Sequence, residues 1–162
     1  AADKLSALGF PVSGWSKTPK SVEGISCFAG AGALNDFLSQ TRILICMLPL
    51  TPQTEGILSR QTFDRLPAGA YVINIARGQH LIEKDLLAAL DSGQLDGACL
   101  DVFEVEPLPE THPFWSHPKI IVTPHISSIT YPKAVAPQII ENYQRSRTGE
   151  PLLYVVDVER GY

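Results

Sequence analysis

Apolar residues along the chain gather in short runs separated by polar stretches, and the spacing inside the runs alternates between helical and extended. Ala2, Leu5 and Leu8 recur at helical spacing up to Gly9, which predicts a short helix, and Pro11 to Trp15 then reads as a brief strand. Leu34, Phe37 and Leu38 make one face of a helix over Gly32 to Gln40, followed by the extended run Ile43 to Leu48. A second round follows. Gln61 to Leu66 reads as a short helix, Tyr71 to Ile75 as a buried strand, and Ile82, Leu86, Leu87 and Leu90 as the apolar face of a helix closed by Gly93. Leu95 to Val102 and Lys119 to Val122 are two further strands, and Pro132 to Arg147 is a helix ended by Gly149 and Pro151, with an apolar tail from Leu152 to Val158. Short β-rich runs alternating with helices are what a parallel sheet covered on both faces requires, so the pattern predicts an α/β, doubly wound architecture. No internal repeat or low-complexity linker interrupts it.

Composition narrows the function classes. The 162 residues are 44% hydrophobic and 19% charged, too apolar for a disordered tail, and 13 Lys+Arg against 17 Asp+Glu leave a net charge of −4, opposite to the balance of a nucleic-acid binder. The longest apolar run, Ile43 to Leu50, contains Pro49 and is far shorter than a bilayer span, and the N-terminus lacks the three regions of a secretory signal. No membrane or nucleic-acid partner is expected, and a cytoplasmic location is. Cys27, Cys46 and Cys99 are odd in number and widely spaced, which suits buried thiols better than a disulfide framework or a zinc site. No metal is expected.

In open α/β sheets ligands gather at the carboxyl ends of strands, so the residues that follow each run carry the chemical information. These are Ser16-Lys17-Thr18-Pro19-Lys20, Leu48-Pro49-Leu50-Thr51-Pro52, Ala76-Arg77-Gly78, Asp101-Val102-Phe103 and Thr123-Pro124-His125. Four segments, Leu48 to Thr54, Val72 to Gly78, Leu100 to Pro107 and Thr123 to His125, resemble in content and order the motifs of the D-isomer-specific 2-hydroxyacid dehydrogenases. Further detail at Phe10-Pro11, Trp15-Ser16, Leu86 to Ser92, Pro107 to Pro109 and Arg160-Gly161-Tyr162 is similar to the branch of that family that reduces glyoxylate and hydroxypyruvate.

The resemblance implies an NAD(P)-dependent enzyme of Rossmann-like fold that reduces a 2-keto acid. Arg77 matches the arginine that holds the substrate carboxylate, a task suited to a planar guanidinium fork. His125 matches the proton donor and Glu106 its carboxylate partner, whose charge favours the imidazolium. Leu48, Pro49 and Thr54 match the loop along the cofactor, Ile75 and Ala76 the strand end beneath it, and Asp101 the acid that holds the nicotinamide carboxamide. Trp115 resembles an aromatic lining the substrate pocket. Each residue also has a plain structural reading: a surface arginine, a solvated loop acid, a histidine bonded to a turn, a strand-ending aspartate, a packing tryptophan. His80, His112 and His117 have no motif context and read as structural or exposed. A second reading of the whole is a non-enzymatic module that senses dinucleotide and binds proteins.

Cofactor preference is argued locally. NAD-selective folds end the second strand with an acid that accepts from the ribose 2′-hydroxyl and repels a 2′-phosphate. Ser16 stands there, followed by Lys17, Thr18 and Lys20, so NADPH is preferred, with NAD still possible; a solvated basic loop is the alternative. The usual glycine-rich phosphate turn is missing, and Gly30-Ala31-Gly32 is only a weak echo of it, with no buried strand before it. The family pattern places the true turn immediately before Ala1. The expectation is therefore an incomplete NAD(P)-binding domain over residues 1–148, lacking its first strand and glycine-rich turn, with a tail over 149–162. It would be the C-terminal part of a longer, homodimeric reductase and inactive alone. An unfilled lane would lie between Pro11 to Trp15 and Tyr71 to Ile75, or their equivalents.

Overall fold

The computed structural model describes residues 1–128 and 130–157. In chain order the elements are α1 (Ala2–Ala7), β1 (Ser13–Ser16), β2 (Ser26–Ala29), α2 (Leu34–Ser39), β3 (Ile43–Cys46), α3 (Arg60–Phe63), β4 (Ala70–Asn74), α4 (Glu83–Asp91), β5 (Leu95–Leu100), β6 (Ile120–Val122) and α5 (Pro132–Thr148). Single 3-10 turns occupy Ala31–Ala33, Gly78–His80 and Pro113–Trp115. The end of the expected apolar tail at Val158, and the Arg160-Gly161-Tyr162 segment, lie outside the described residues.

The strands form two sheets. β1 and β2 pair in parallel, with Ser13 opposite Ser26 and Ser16 opposite Ala29. The other sheet has the order β3-β4-β5-β6. It too is parallel, because hydrogen-bond partners advance together along neighbouring strands. Tyr71 N–H donates to the Arg42 carbonyl (2.8 Å) and Ile75 N–H to that of Cys46 (3.4 Å), while Gly69 donates to Gln94 (3.0 Å) and Asp101 to Asn74 (3.0 Å). The predicted α/β class with parallel strands is thus correct, with two corrections. Ser26–Ala29 is a strand that the apolar pattern did not predict, so Gly30-Ala31-Gly32 does follow one, though it is not buried. β3, rather than the predicted run Tyr71 to Ile75, is the terminal strand of the four-stranded sheet.

Contacts divide the chain into two compact units. The first comprises Ala1–Ile45, Leu58–Ile73 and Ile82–Ala98. Its core contains Leu38, Phe63, Val72, Leu86, Leu90 and Leu95, each at most 1% exposed. Fully burying one such side chain contributes about 1.5–3 kcal/mol. Gln94 ties this unit together by donating to the carbonyls of Phe63 (2.8 Å) and Leu66 (3.0 Å). The second unit comprises Cys46–Ile57, Asn74–Leu81 and the chain from Cys99 onward. Its buried apolar side chains include Leu81, Leu100, Val102, Phe103 and Phe114, and the rings of Phe103 and Phe114 lie 6.5 Å apart. Helix α5 buries none of its residues and stops at Gly149, whose φ of 76° is the left-handed cap that favours glycine. Among the described residues, no helix is long and apolar enough to cross a membrane. The cysteines are all free, but only Cys46 is buried; Cys99 is half-buried and Cys27, expected to be buried, is exposed on β2.

Candidate active site

Most of the residues singled out in the sequence fall in the second unit. Strand β4 ends at Asn74, a fully buried amide inside an otherwise apolar run. Its Nδ2 donates to the Arg77 carbonyl (2.9 Å), and its Oδ1 accepts from the Ala76 N–H (3.2 Å). These bonds curl the chain so that Ala76 is buried and Arg77 is exposed. Gly78 follows for a steric reason. A Cβ there would meet the Phe103 carbonyl carbon at 1.9 Å and the Glu104 nitrogen at 2.2 Å, so only glycine lets the Arg77 turn lie against the segment after β5.

His80 closes this turn from inside. It is completely buried, and its Nδ1 accepts the Arg77 N–H at 3.2 Å. Nδ1 also lies 3.1 Å from the Arg77 carbonyl, and Nε2 lies a long 3.4 Å from the Pro49 carbonyl. The same carbonyl accepts from Thr54 Oγ1 (2.7 Å), which also accepts from the Thr51 N–H (2.8 Å). The Leu48-Pro49-Thr54 loop is therefore closed on itself and joined to the Arg77 turn. Asn74, inside the Val72 to Gly78 segment but not singled out there, positions this turn, and one polar residue closing an apolar run was the available signal; His80, read as structural or exposed, is structural and buried.

The segment after β5 carries Glu106. Its Oε1 accepts from the Phe103 N–H (2.9 Å), and its Oε2 lies 2.8 Å from His125 Nδ1. The His125 hydrogen bond and the Phe103 amide hold the Glu106 carboxyl below its usual range, and the charges of His125 and Arg77 add to this against a modest effect of burial. His125 has a φ of 52°, rare for a residue with a side chain. Asp101, at the end of β5, is 1% exposed. Its Oδ1 accepts from Thr123 Oγ1 and the Ile126 N–H (2.9 Å), and its Oδ2 from the Ser127 N–H (2.9 Å) and Ser127 Oγ. Burial alone would raise this carboxyl, but the four hydrogen bonds outweigh it and bring it down to about 2.

Trp115 is exposed, and its indole N–H donates to the Pro109 carbonyl (2.9 Å), while its neighbour Phe114 fills the core. Ser16, Lys17, Thr18 and Lys20 lie in the first unit, after β1. Ser16 Oγ donates to the Thr18 carbonyl (2.8 Å), and Lys17 and Lys20 are exposed. No carboxylate occurs between Ser16 and Lys20. The second unit thus brings Glu106 and His125 into contact and sets Arg77 close enough for its charge to act on Glu106. Among the described residues there is no cluster that could hold a metal ion.

The chain matches the family described as D-isomer specific 2-hydroxyacid dehydrogenase, NAD binding domain, over residues 1–127. Glyoxylate/hydroxypyruvate reductase A of Yersinia enterocolitica is 51% identical over 161 residues, which cover 99% of this chain and 51% of that protein. A D-isomer specific 2-hydroxyacid dehydrogenase from Xanthobacter autotrophicus Py2, solved in complex with NADPH and MES, superposes with a TM-score of 0.96 at 51% identity, covering 99% of this chain and 66% of the other. An NADPH-dependent glyoxylate/hydroxypyruvate reductase from Sinorhizobium meliloti, in complex with NADP and sulfate, gives 0.94 at 40% identity, covering 99% and 52%. The chain spans about half the length of the curated relatives it matches.

Proposed function

The chain belongs to the D-isomer specific 2-hydroxyacid dehydrogenase family, and on that premise we propose that it supplies the C-terminal, cofactor-binding part of an NADPH-dependent reductase of glyoxylate and hydroxypyruvate. The observation that carries this reading is the 2.8 Å contact between His125 Nδ1 and Glu106 Oε2, in a unit that also presents Arg77. Glu106, held below the usual carboxylate range, stays ionised through the neutral range and orients the imidazole ring. His125 then offers its Nε2–H to the substrate carbonyl oxygen and gives up that proton as the oxygen becomes an alkoxide. Arg77, exposed at the end of β4, binds the keto acid carboxylate. When bound, the nicotinamide cofactor supplies the hydride that reduces the carbonyl carbon.

Leu48, Pro49, Thr54, Ile75 and Ala76 would lie along the cofactor, and Ser16, Lys17, Thr18 and Lys20 would take its 2′-phosphate. What supports this part is the closed Pro49–Thr54 loop, the buried small side chain of Ala76 and the absence of acid between Ser16 and Lys20. Trp115 would border the keto acid. Residues 1–148 would form the dinucleotide domain with 149–162 as a tail, in a cytoplasmic, homodimeric full-length enzyme.

The test is steady-state turnover by the full-length protein. NADPH is expected to be consumed when glyoxylate or hydroxypyruvate is added, yielding glycolate or glycerate, and His125→Gln should lower kcat by about 10²–10⁴-fold. NADPH binding without consumption on either keto acid, the behaviour of a dinucleotide sensor, would overturn the reading.

A further inference from the structure

We propose that His80 is a positioning residue: its buried ring bridges the Arg77 turn and the Pro49–Thr54 loop and fixes the spacing at which the two are presented. The inference rests on the reductase reading for what that spacing does, but the bridge itself is a property of the chain.

A fully buried imidazole is unfavourable unless both ring nitrogens find partners. His80 is fully buried, and its two nitrogens face the backbones of two different segments. Nδ1 lies 3.2 Å from the Arg77 nitrogen, and Nε2 lies 3.4 Å from the carbonyl of Pro49, 31 residues away in the chain. The Arg77 carbonyl, 3.1 Å from Nδ1, already accepts from Asn74 Nδ2 (2.9 Å), whereas the Arg77 N–H has Nδ1 as its acceptor. The bridge therefore places the ring proton on Nε2, so that the ring accepts from Arg77 and donates to Pro49. A phenylalanine would fill a similar volume and do neither.

The two segments also meet where the Gly56 N–H donates to the Gln79 carbonyl (2.9 Å), beyond the Thr54 end of the loop. At the other end, Pro49 is tied within its own loop by Thr54 Oγ1 (2.7 Å), and His80 reaches the same carbonyl from the Arg77 side. Arg77 and Pro49 are themselves exposed, while the ring that links their backbones is shielded from water.

In the proposed reductase the Arg77 side chain holds the keto acid carboxylate and the Pro49–Thr54 loop lies along the cofactor. The distance between these supports sets how closely the hydride donor approaches the carbonyl carbon, and a misplacement of about 1 Å costs about 10²-fold in rate. A bridge acts only when both ends hold, so cutting either end should cost nearly as much as cutting both. Independent packing contacts would instead give losses that add.

The experiment compares the full-length protein with His80→Asn, His80→Gln and His80→Phe. The amide oxygen of Asn can stand in for Nδ1 and the amide nitrogen of Gln for Nε2. Asn therefore keeps the Arg77 end, Gln keeps the Pro49 end, and Phe keeps the ring shape and neither end. Hydride transfer is followed in single turnovers with NADPH bound and glyoxylate saturating, alongside the urea midpoint of each protein. The bridge predicts that the rate falls by about tenfold or more in all three variants, with the three within about threefold of one another. Lower midpoints with an unchanged rate, the mark of a purely structural residue, would overturn the proposal, as would a rate kept by Asn or Gln and lost only in Phe. Should the variants not fold, hydrogen exchange of the unaltered protein decides: the bridge predicts protection of the Arg77 and Thr51 amides that agrees within about threefold, and a larger difference would overturn it. If the unaltered protein turns over no keto acid, the reductase reading fails, while the exchange data still decide the bridge.

Discussion

Nδ1 of His125 lies 2.8 Å from Oε2 of Glu106, whose other oxygen is fixed by the Phe103 N–H at 2.9 Å. Both side chains are more than a third exposed, 48% for His125 and 37% for Glu106, so water screens the pair and its contribution to stability is small. Its consequence is chemical. In the proposed reductase the ionised Glu106 carboxylate holds the His125 ring towards the keto acid. Glu106→Gln keeps the shape and removes the charge, so kcat for keto acid reduction should fall by at least about tenfold. Steady-state kcat for each protein checks this; an unchanged kcat would leave Glu106 without that role.

Gly78 is sterically obligatory in a way that a surface turn is not. Its missing Cβ leaves room for backbone atoms of Phe103 and Glu104, which cannot rotate away as a side chain would. Gly78→Ala should destabilise the protein by about 3 kcal/mol, the upper range for overpacking, and should weaken keto acid binding by separating the Arg77 turn from the Glu106 segment. Gly149→Ala is the control. It meets nothing within 4 Å and carries only the cost of a φ of +76°, about 1 kcal/mol. Denaturation midpoints that rank the two the other way would contradict the packing argument.

In the proposed reductase, cofactor choice turns on the end of β1. Ser16→Asp places a carboxylate where the 2′-phosphate is proposed to bind, so the ratio of kcat/KM for NADPH to that for NADH should fall by at least about tenfold. An unchanged ratio would assign Lys17 and Lys20 to the solvated surface.

The Asp101 carboxyl also leaves a mark on acid stability. Its value is depressed from 3.8 to about 2, so the unfolded chain binds its proton first, and the associated stability is present above 3.8 and lost as pH falls through about 2. The stability difference between the full-length protein and Asp101→Asn should therefore shrink by about 2 kcal/mol over that interval. A difference independent of pH there would mean that the Thr123, Ile126 and Ser127 hydrogen bonds do not hold the carboxylate ionised.

The legible part of the fold was the part that buries apolar runs. β3, β4, β5 and α4 each place alternating or helically spaced side chains in a core, so periodicity located them. β2 escaped because Ser26 and Cys27 are exposed and offer no apolar signal, although their backbone pairs fully with β1. The predicted strand Leu95 to Val102 stops at Leu100 because Asp101 turns its side chain to a segment 22–26 residues further on, a relationship that spacing does not encode. The site divides in the same way. Arg77 and His125 follow closely on β4 and β6, and Glu106 lies in the loop after β5, all within recognisable motifs. Asn74 and His80 shape the Arg77 turn from inside the core, where one polar residue in an apolar stretch looks like noise until its partners are seen.

The proposed hydride transfer to a 2-keto acid can be followed atom by atom with the full-length protein, NADPH deuterated at the transferable nicotinamide position, and glyoxylate or hydroxypyruvate. The product hydroxy acid is expected to carry deuterium on the former carbonyl carbon, in proportion to the NADPH consumed, and His125→Gln to slow its appearance. Cofactor binding with no deuterium in any hydroxy acid product would overturn the proposed function.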